Sequence, residues 1–363
     1  MKRFLAILLS LTLSLAMVAS VPAEEAAVKV GVSMPTQSLQ RWNQDGSYLK
    51  ENLEAAGFEV DLQYADNDIA VQLSQIENML MAGCKALVVT AIDSGTLGTA
   101  MATASEMGVP VIAYDRLILD TDAVSYYATF DNYNVGAFQG QFLIDTLGLA
   151  EGNGPFNLEI VAGDPADPNA NYFYNGAMDL LKTYIENGQL VVPSGQTEFM
   201  DVATPTWATS VAQARFDDII AANYSTGAKL DAVLCSNDST AAGVVNALTN
   251  AGFTEENWPW VTGQDCDVNN MQHIVSGKQS MSVFKDTRIL AKRTSEMVEA
   301  ITKGEEPLIN DTETYDNNVK IVPTYMCELL LCTKDNYVEM LIDSGYYVEI
   351  NGEFFAPEDA PAN

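Results

Sequence analysis

Apolar runs of strand length alternate with segments of helical period along most of the chain, a pattern that predicts parallel strands joined by crossover helices. The first run, 28–34, precedes a helix over 42–56 that ends at Gly57. A strand over 59–65 then leads to a helix whose Leu73, Ile76 and Leu80 share one face and which stops at Gly83. The segment KALVVTA, 85–91, is continuously apolar and so reads as a strand buried on both faces, with Asp93 or Ser94 as cap of the next helix. Strands over 109–114 and 125–130 complete a first series, which predicts one open, doubly wound sheet. From Asn132 the pattern starts again, with strands over 156–162, 190–198, 231–236, 258–263 and 279–284 and helices over 132–147, 172–187, 211–223, from 238, and 268–275. A long helix over 287–303, a polar loop, an extended run over 320–331 and a short helix over 337–343 follow, and the Pro- and acid-rich end, 356–363, is expected to fray. No Gly/Ser linker divides the halves, so the chain is expected to pass between two lobes more than once.

The first 23 residues stand apart. Lys2 and Arg3, an apolar stretch over 4–18 and the small-residue site Val21-Pro22-Ala23 are arranged as a secretory signal peptide, which places the mature protein in the periplasm or outside the cell. No later stretch is long and apolar enough for a membrane span. The formal charge of -31 repels phosphate backbones and excludes a nucleic-acid-binding role. A single histidine, His273, thins the list of enzymes, because histidine is the usual acid-base group near neutral pH. The five cysteines lack metal or redox spacing and read as free buried thiols in a chain long enough to bury a core without staples.

In open α/β sheets ligands gather beyond the carboxyl ends of strands, which directs attention to the residues just after each one. There the sequence places Arg41-Trp42, Asp115-Arg116, Asp164 to Asn171, Asn237-Asp238, Gln264-Asp265 and Lys285-Asp286, with Trp207 in a further loop. Amide, carboxylate and cationic side chains suit the paired hydroxyls of a neutral polyol, and indoles suit the apolar C–H faces of a sugar ring. Trp42 and Trp207 are candidates to sandwich one ring while Arg41, Arg116, Asn169, Asn237, Asp265 and Lys285 hold its rim. The competing readings are core tryptophans, surface ion pairs at Asp115-Arg116, and a helix cap at Asn237 or, more readily, Asp238. On the candidate set cations outnumber carboxylates, and a locally basic pocket in an acidic protein is expected.

The stretches QRWNQDG, QLSQIENML, VIAYDRLI, YYATFDNYNVG, SNDSTAAG, TGQDCD and VFKDT resemble, in order, the xylose-binding and multiple-monosaccharide-binding periplasmic proteins of ABC sugar importers. The resemblance covers about 28–347. It implies an α/β, type I periplasmic binding protein fold, in which two doubly wound parallel-sheet lobes are joined by a three-strand hinge. The N-terminal lobe is expected over 28–131 plus 286–320, the C-terminal lobe over 132–285 plus 321–347, and a tail over 348–363. The positions matching the family's sugar contacts are Arg41, Trp42, Arg116, Asn169, Trp207, Asn237, Asp265 and Lys285. Two departures stand out: Pro168 replaces an amide, and Cys266 replaces a small residue.

The resemblance implies capture of xylose, glucose, galactose or arabinose by hinge closure and delivery to an ABC permease and its ATPase, by a monomer without cofactor. A membrane kinase or chemoreceptor is the alternative partner. A glycosidase would need two carboxylates flanking a bond in an open cleft, and a sugar-responsive repressor would need a helix-turn-helix where the signal peptide stands. The motifs Asp66-Asn-Asp68 and Asp120-Thr-Asp122 lack the Gly and terminal Glu of a calcium loop, so no metal is expected.

Overall fold

The computed structural model describes residues 27–361, so the predicted signal peptide lies outside the described residues. Strands β1 (Lys29–Met34), β2 (Glu59–Tyr64), β3 (Ala86–Val89), β4 (Val111–Tyr114) and β5 (Val124–Phe130) alternate with helices α1 (Gln40–Ala55), α2 (Ile69–Met81) and α3 (Gly98–Glu106). They form a parallel sheet whose order reverses next to β1, with β3 on one side of it and β2 on the other. The continuous apolar run at β3 is explained by its two faces. Leu87 and Val89 pack with Ile76, Met79 and Leu80 of α2, whereas Ala86 and Val88 pack with Leu49 and Leu53 of α1.

The second sheet repeats this plan. Strands β6 (Phe156–Val161), β7 (Leu190–Val191), β8 (Ala232–Cys235) and β9 (Trp260–Val261) pair in parallel in the order β7-β6-β8-β9. Helices α4 (Asn132–Leu147), α5 (Pro168–Glu186), α6 (Phe199–Val202), α7 (Thr209–Ile219), α8 (Asp238–Asn250) and α9 (Val268–Val275) accompany them. Where α4 crosses α5, a Cβ on Gly136 would stand 1.8 Å from the Phe173 carbonyl, and one on Gly176 would stand 2.0 Å from that of Tyr133. These glycines let the two backbones touch, which sets the height of the first turn of α5 over the cleft.

Strand β10 (Ser282–Phe284) bridges in parallel to Gln264 and pairs antiparallel with β12 (Leu330–Cys332), while α10 (Thr287–Lys303) returns to pack on α1. The expected run over 320–331 is split. Its first part is β11 (Thr324–Cys327), which joins β5 as the sixth strand of the first sheet. Residues 324–327, expected in the C-terminal lobe, therefore belong to the N-terminal sheet, because the run continues straight across the hinge and each end pairs with a different lobe. Among the described residues the chain thus crosses three times: between β5 and α4, between β10 and α10, and between β11 and β12.

The tail differs more. Residues 348–355, expected only as the start of a tail, form a hairpin of β13 (Val348–Ile350) and β14 (Glu353–Phe355) around Asn351-Gly352, both at positive φ as such a turn demands. Phe354 packs with Tyr337 and Leu341 over α9. The expected helix over 337–343 is reduced to a single π-helical turn, Val338–Ile342. The five cysteines are free and buried, as read from the sequence.

Candidate functional site

The carboxyl ends of the strands in both sheets face one cleft, and between them lies a small cavity of about 40 Å³. All eight residues singled out in the sequence line it: Arg41, Trp42, Arg116, Asn169, Trp207, Asn237, Asp265 and Lys285.

Arg41, in the first turn of α1, is buried and forms three ion pairs. Its guanidinium meets Asp45 one turn on, Asp115 at 2.7 Å and, across the cleft, Asp265 at 3.0 Å. Asp265 also takes Lys285 at 2.8 Å, so two cations from different segments hold one carboxylate. Burial works against charge on Asp115, yet Arg41, then Lys285 and Arg116, hold its carboxyl below the usual value. Behind Arg41, burial lifts the Asp45 carboxyl to about 6 despite the adjacent guanidinium, and Tyr114 donates its hydroxyl hydrogen bond to it.

Arg116 donates to the Ala91 carbonyl at 3.0 Å. Its Nε lies 2.8 Å from Asp167 of the opposite lobe, but the N–H is not directed at the carboxylate and has no hydrogen-bond acceptor. The guanidinium carbons of Arg41 and Arg116 stand 5.4 and 5.1 Å from the Trp42 ring centroid, an arrangement that fixes the indole by cation–π attraction. Trp42 Nε1 and Gln264 Oε1 are likewise buried without a protein partner. Polar groups in this condition on cavity-lining residues fit a hydroxylated occupant.

On the other wall Trp207 lies flat on Gly163, where a Cβ would fall 1.8 Å from the ring, and Thr206 and Trp207 both adopt positive φ to bring the indole there. Its Nε1 donates to Asp167 at 3.3 Å, and Phe173 meets it edge-on at 6.2 Å. Asn169 donates to the Asp115 carbonyl of the first lobe at 2.7 Å and accepts from Asn132 at 2.9 Å. Pro168 is the first residue of α5, capped by Asp167, where its missing N–H costs nothing. The cap of α8 is Asn237, not Asp238: Asn237 Oδ1 accepts from Thr240 N at 3.0 Å in a capping box. Asp238 is instead fully buried and accepts from Gln279, Ser282 and the backbone N–H of Asp267.

Besides the eight, the lining includes Asp115, Asp167 and Gln264, which the sequence placed at strand ends without selecting them, and Phe173 and Asp267, which it did not single out. Four carboxylates, Asp115, Asp167, Asp265 and Asp267, now face three cations, Arg41, Arg116 and Lys285. The expected basic pocket is overturned. The lining carries a slight acid excess, because Asp115, Asp167 and Asp267, none of them among the eight, also face the cavity.

The pattern of the periplasmic binding protein domain matches residues 30–306. The chain belongs to the periplasmic binding protein family. This periplasmic binding protein is 47% identical over 320 residues to the multiple sugar-binding periplasmic receptor ChvE of Rhizobium radiobacter, covering 88% of this chain and 90% of that one. It is 32% identical over 343 residues to the D-xylose-binding periplasmic protein of Escherichia coli, covering 94% and 98%. Among solved structures, an ABC transporter solute binding protein from Clostridium phytofermentans with bound beta-D-glucose superposes with a TM-score of 0.87 at 58% identity, over 88% of this chain and 98% of that one. The family is one of receptors, not of enzymes.

Proposed function

We propose that this periplasmic binding protein is exported by its first 23 residues and, as a monomer, captures an aldose monosaccharide between its lobes for delivery to an ABC permease and its ATPase. The observation that carries the reading is the divided cavity: Arg41, Trp42 and Arg116 stand on one lobe, Asn169, Trp207, Asn237 and Asp265 on the other, and Lys285 at a crossing. A ligand that touches both walls favours the closed form through its differential contacts, which is what hinge capture requires. Two indoles and a set of planar donors and acceptors suit a pyranose, and the glucose-bound relative at 58% identity supports the same class of ligand.

A thermal-shift panel of D-glucose, D-xylose, D-galactose and L-arabinose tests the proposal. A ligand present at a hundred times its Kd adds about 2.7 kcal/mol of stability, which raises the melting temperature by several degrees. The reading fails if none of the four sugars moves the transition.

A further inference from the structure

Three of the four carboxylates in the cavity wall are engaged. Asp115 is held by Arg41, Asp265 by Arg41 and Lys285, and Asp167 by Arg116, Trp207 and the backbone N–H of Asn169. Asp267 differs: among the described residues its carboxylate accepts no hydrogen bond and forms no ion pair, although its backbone N–H donates to Asp238 at 2.9 Å. An aspartate just before a helix ordinarily caps it. Here that task has passed to the opposite lobe, where Gln40 Oε1 accepts from the Val268 N–H at 3.1 Å. The carboxylate is thereby released from its local role. Positive φ at Asp265 (94°) and Cys266 (52°) folds the loop so that Asp265 and Asp267 both line the cavity while Cys266 turns into the core.

We infer that Asp267 is a specificity-determining residue that accepts a hydrogen bond from a hydroxyl of the bound sugar, and that only its ionised form does so. The inference rests on the sugar reading above. A carboxylate is an acceptor without donors, so the contact requires a ligand hydroxyl and is lost on protonation. Burial, and next the charge of Asp265, lift the Asp267 carboxyl to about 7 against the pull of Arg41 and Lys285. The other ionisable groups around it are Asp238, Asp115, Asp167, Arg116 and Tyr347, with Asp45 behind Arg41. A hydroxyl donated to the ionised form lowers the Asp267 pKa in the complex, so binding releases a proton below pH 7 and affinity rises with pH until it levels off above that value.

Calorimetry with D-glucose and D-xylose at pH 6 and pH 8, in buffers of different ionisation enthalpy, tests this on the wild type, Asp267→Asn and Asp45→Asn. The wild type is expected to bind about tenfold more tightly at pH 8 than at pH 6, with a released proton at the lower pH. Asp267→Asn should bind more weakly at pH 8 and lose both the pH dependence and the proton release, while Asp45→Asn keeps them. A flat wild-type profile, or Asp267→Asn with the wild-type affinity and profile, overturns the assignment of Asp267 and leaves sugar binding standing. A wild type that binds neither sugar at either pH overturns the assignment together with the reading on which it rests.

Discussion

Gly163→Ala is the substitution whose effect follows most directly from the packing. Gly163 has no positive φ, so alanine suits its backbone and the added methyl group acts through space alone. That Cβ would stand 1.8, 2.2 and 2.3 Å from three carbons of the Trp207 ring, whereas carbons in contact settle near 3.5–4.0 Å. The indole must therefore retreat by about 2 Å. It cannot do so and keep both its 3.3 Å hydrogen bond to Asp167 and its edge-on contact with Phe173. Overpacking of this kind costs about 1–3 kcal/mol. Misplacing one of two indoles that face the ring should weaken sugar binding at least tenfold, a loss of about 1.4 kcal/mol. Urea unfolding measures the first quantity and calorimetric titration the second, and near-UV circular dichroism reports the displaced indole directly. Unchanged unfolding and an unchanged near-UV spectrum would refute the packing argument. Altered packing with unchanged sugar affinity would refute the role of Trp207 in the site.

Arg41→Met leaves Asp45 and Asp115 buried without their guanidinium, while Asp265 keeps Lys285; a stability loss of about 3–5 kcal/mol at neutral pH is expected in urea unfolding, and a loss below 1 kcal/mol contradicts the ion-pair hub. The Asp45 carboxyl is raised from 3.8 to about 6 in the folded protein, so the unfolded chain ionises first and the stability that Asp45 contributes below pH 4 is lost as the pH rises to 6. Stability of Asp45→Asn relative to wild type should accordingly grow by on the order of 3 kcal/mol over that interval, and a constant difference would show that Asp45 is not strained by its burial. Phe354→Ala should lower stability by about 1–2 kcal/mol through exposure of Tyr337 and Leu341, which differential scanning calorimetry would register; an unaffected transition would mean that the hairpin is not part of the second lobe's core.

The fold was legible where burial is symmetric. Strand β3 is hydrophobic on both faces because helices cover both, and that leaves an unbroken apolar run in the sequence. The boundary near residue 320 was not legible, because one extended run serves two lobes and nothing in its side chains marks where pairing changes from β5 to β10. The site was legible as a set of strand ends. It was illegible at the level of neighbours: a loop residue at ordinary φ sends successive side chains apart, but Asp115 (58°), Asp265 (94°) and Cys266 (52°) all take positive φ, which brings acids adjacent to the selected residues into the same cavity. The acid excess of the lining follows from those turns. The hairpin at 348–355 carried a signal, Asn351-Gly352 between apolar alternations, that the sequence reading did not use.

The sixth strand of the first sheet has a consequence for how the protein is made. A chain that emerges amino end first presents β1 to β5 long before residue 324, yet their sheet keeps an open edge along β5 until Thr324–Cys327 arrives. Strand β10 waits in the same way for its antiparallel partner β12. The first sheet thus depends on a contact that spans the whole second sheet in sequence, which makes its completion slow and nonlocal. For a chain exported in extended form, as proposed above, such a topology delays completion of the first sheet until nearly all of the chain has passed.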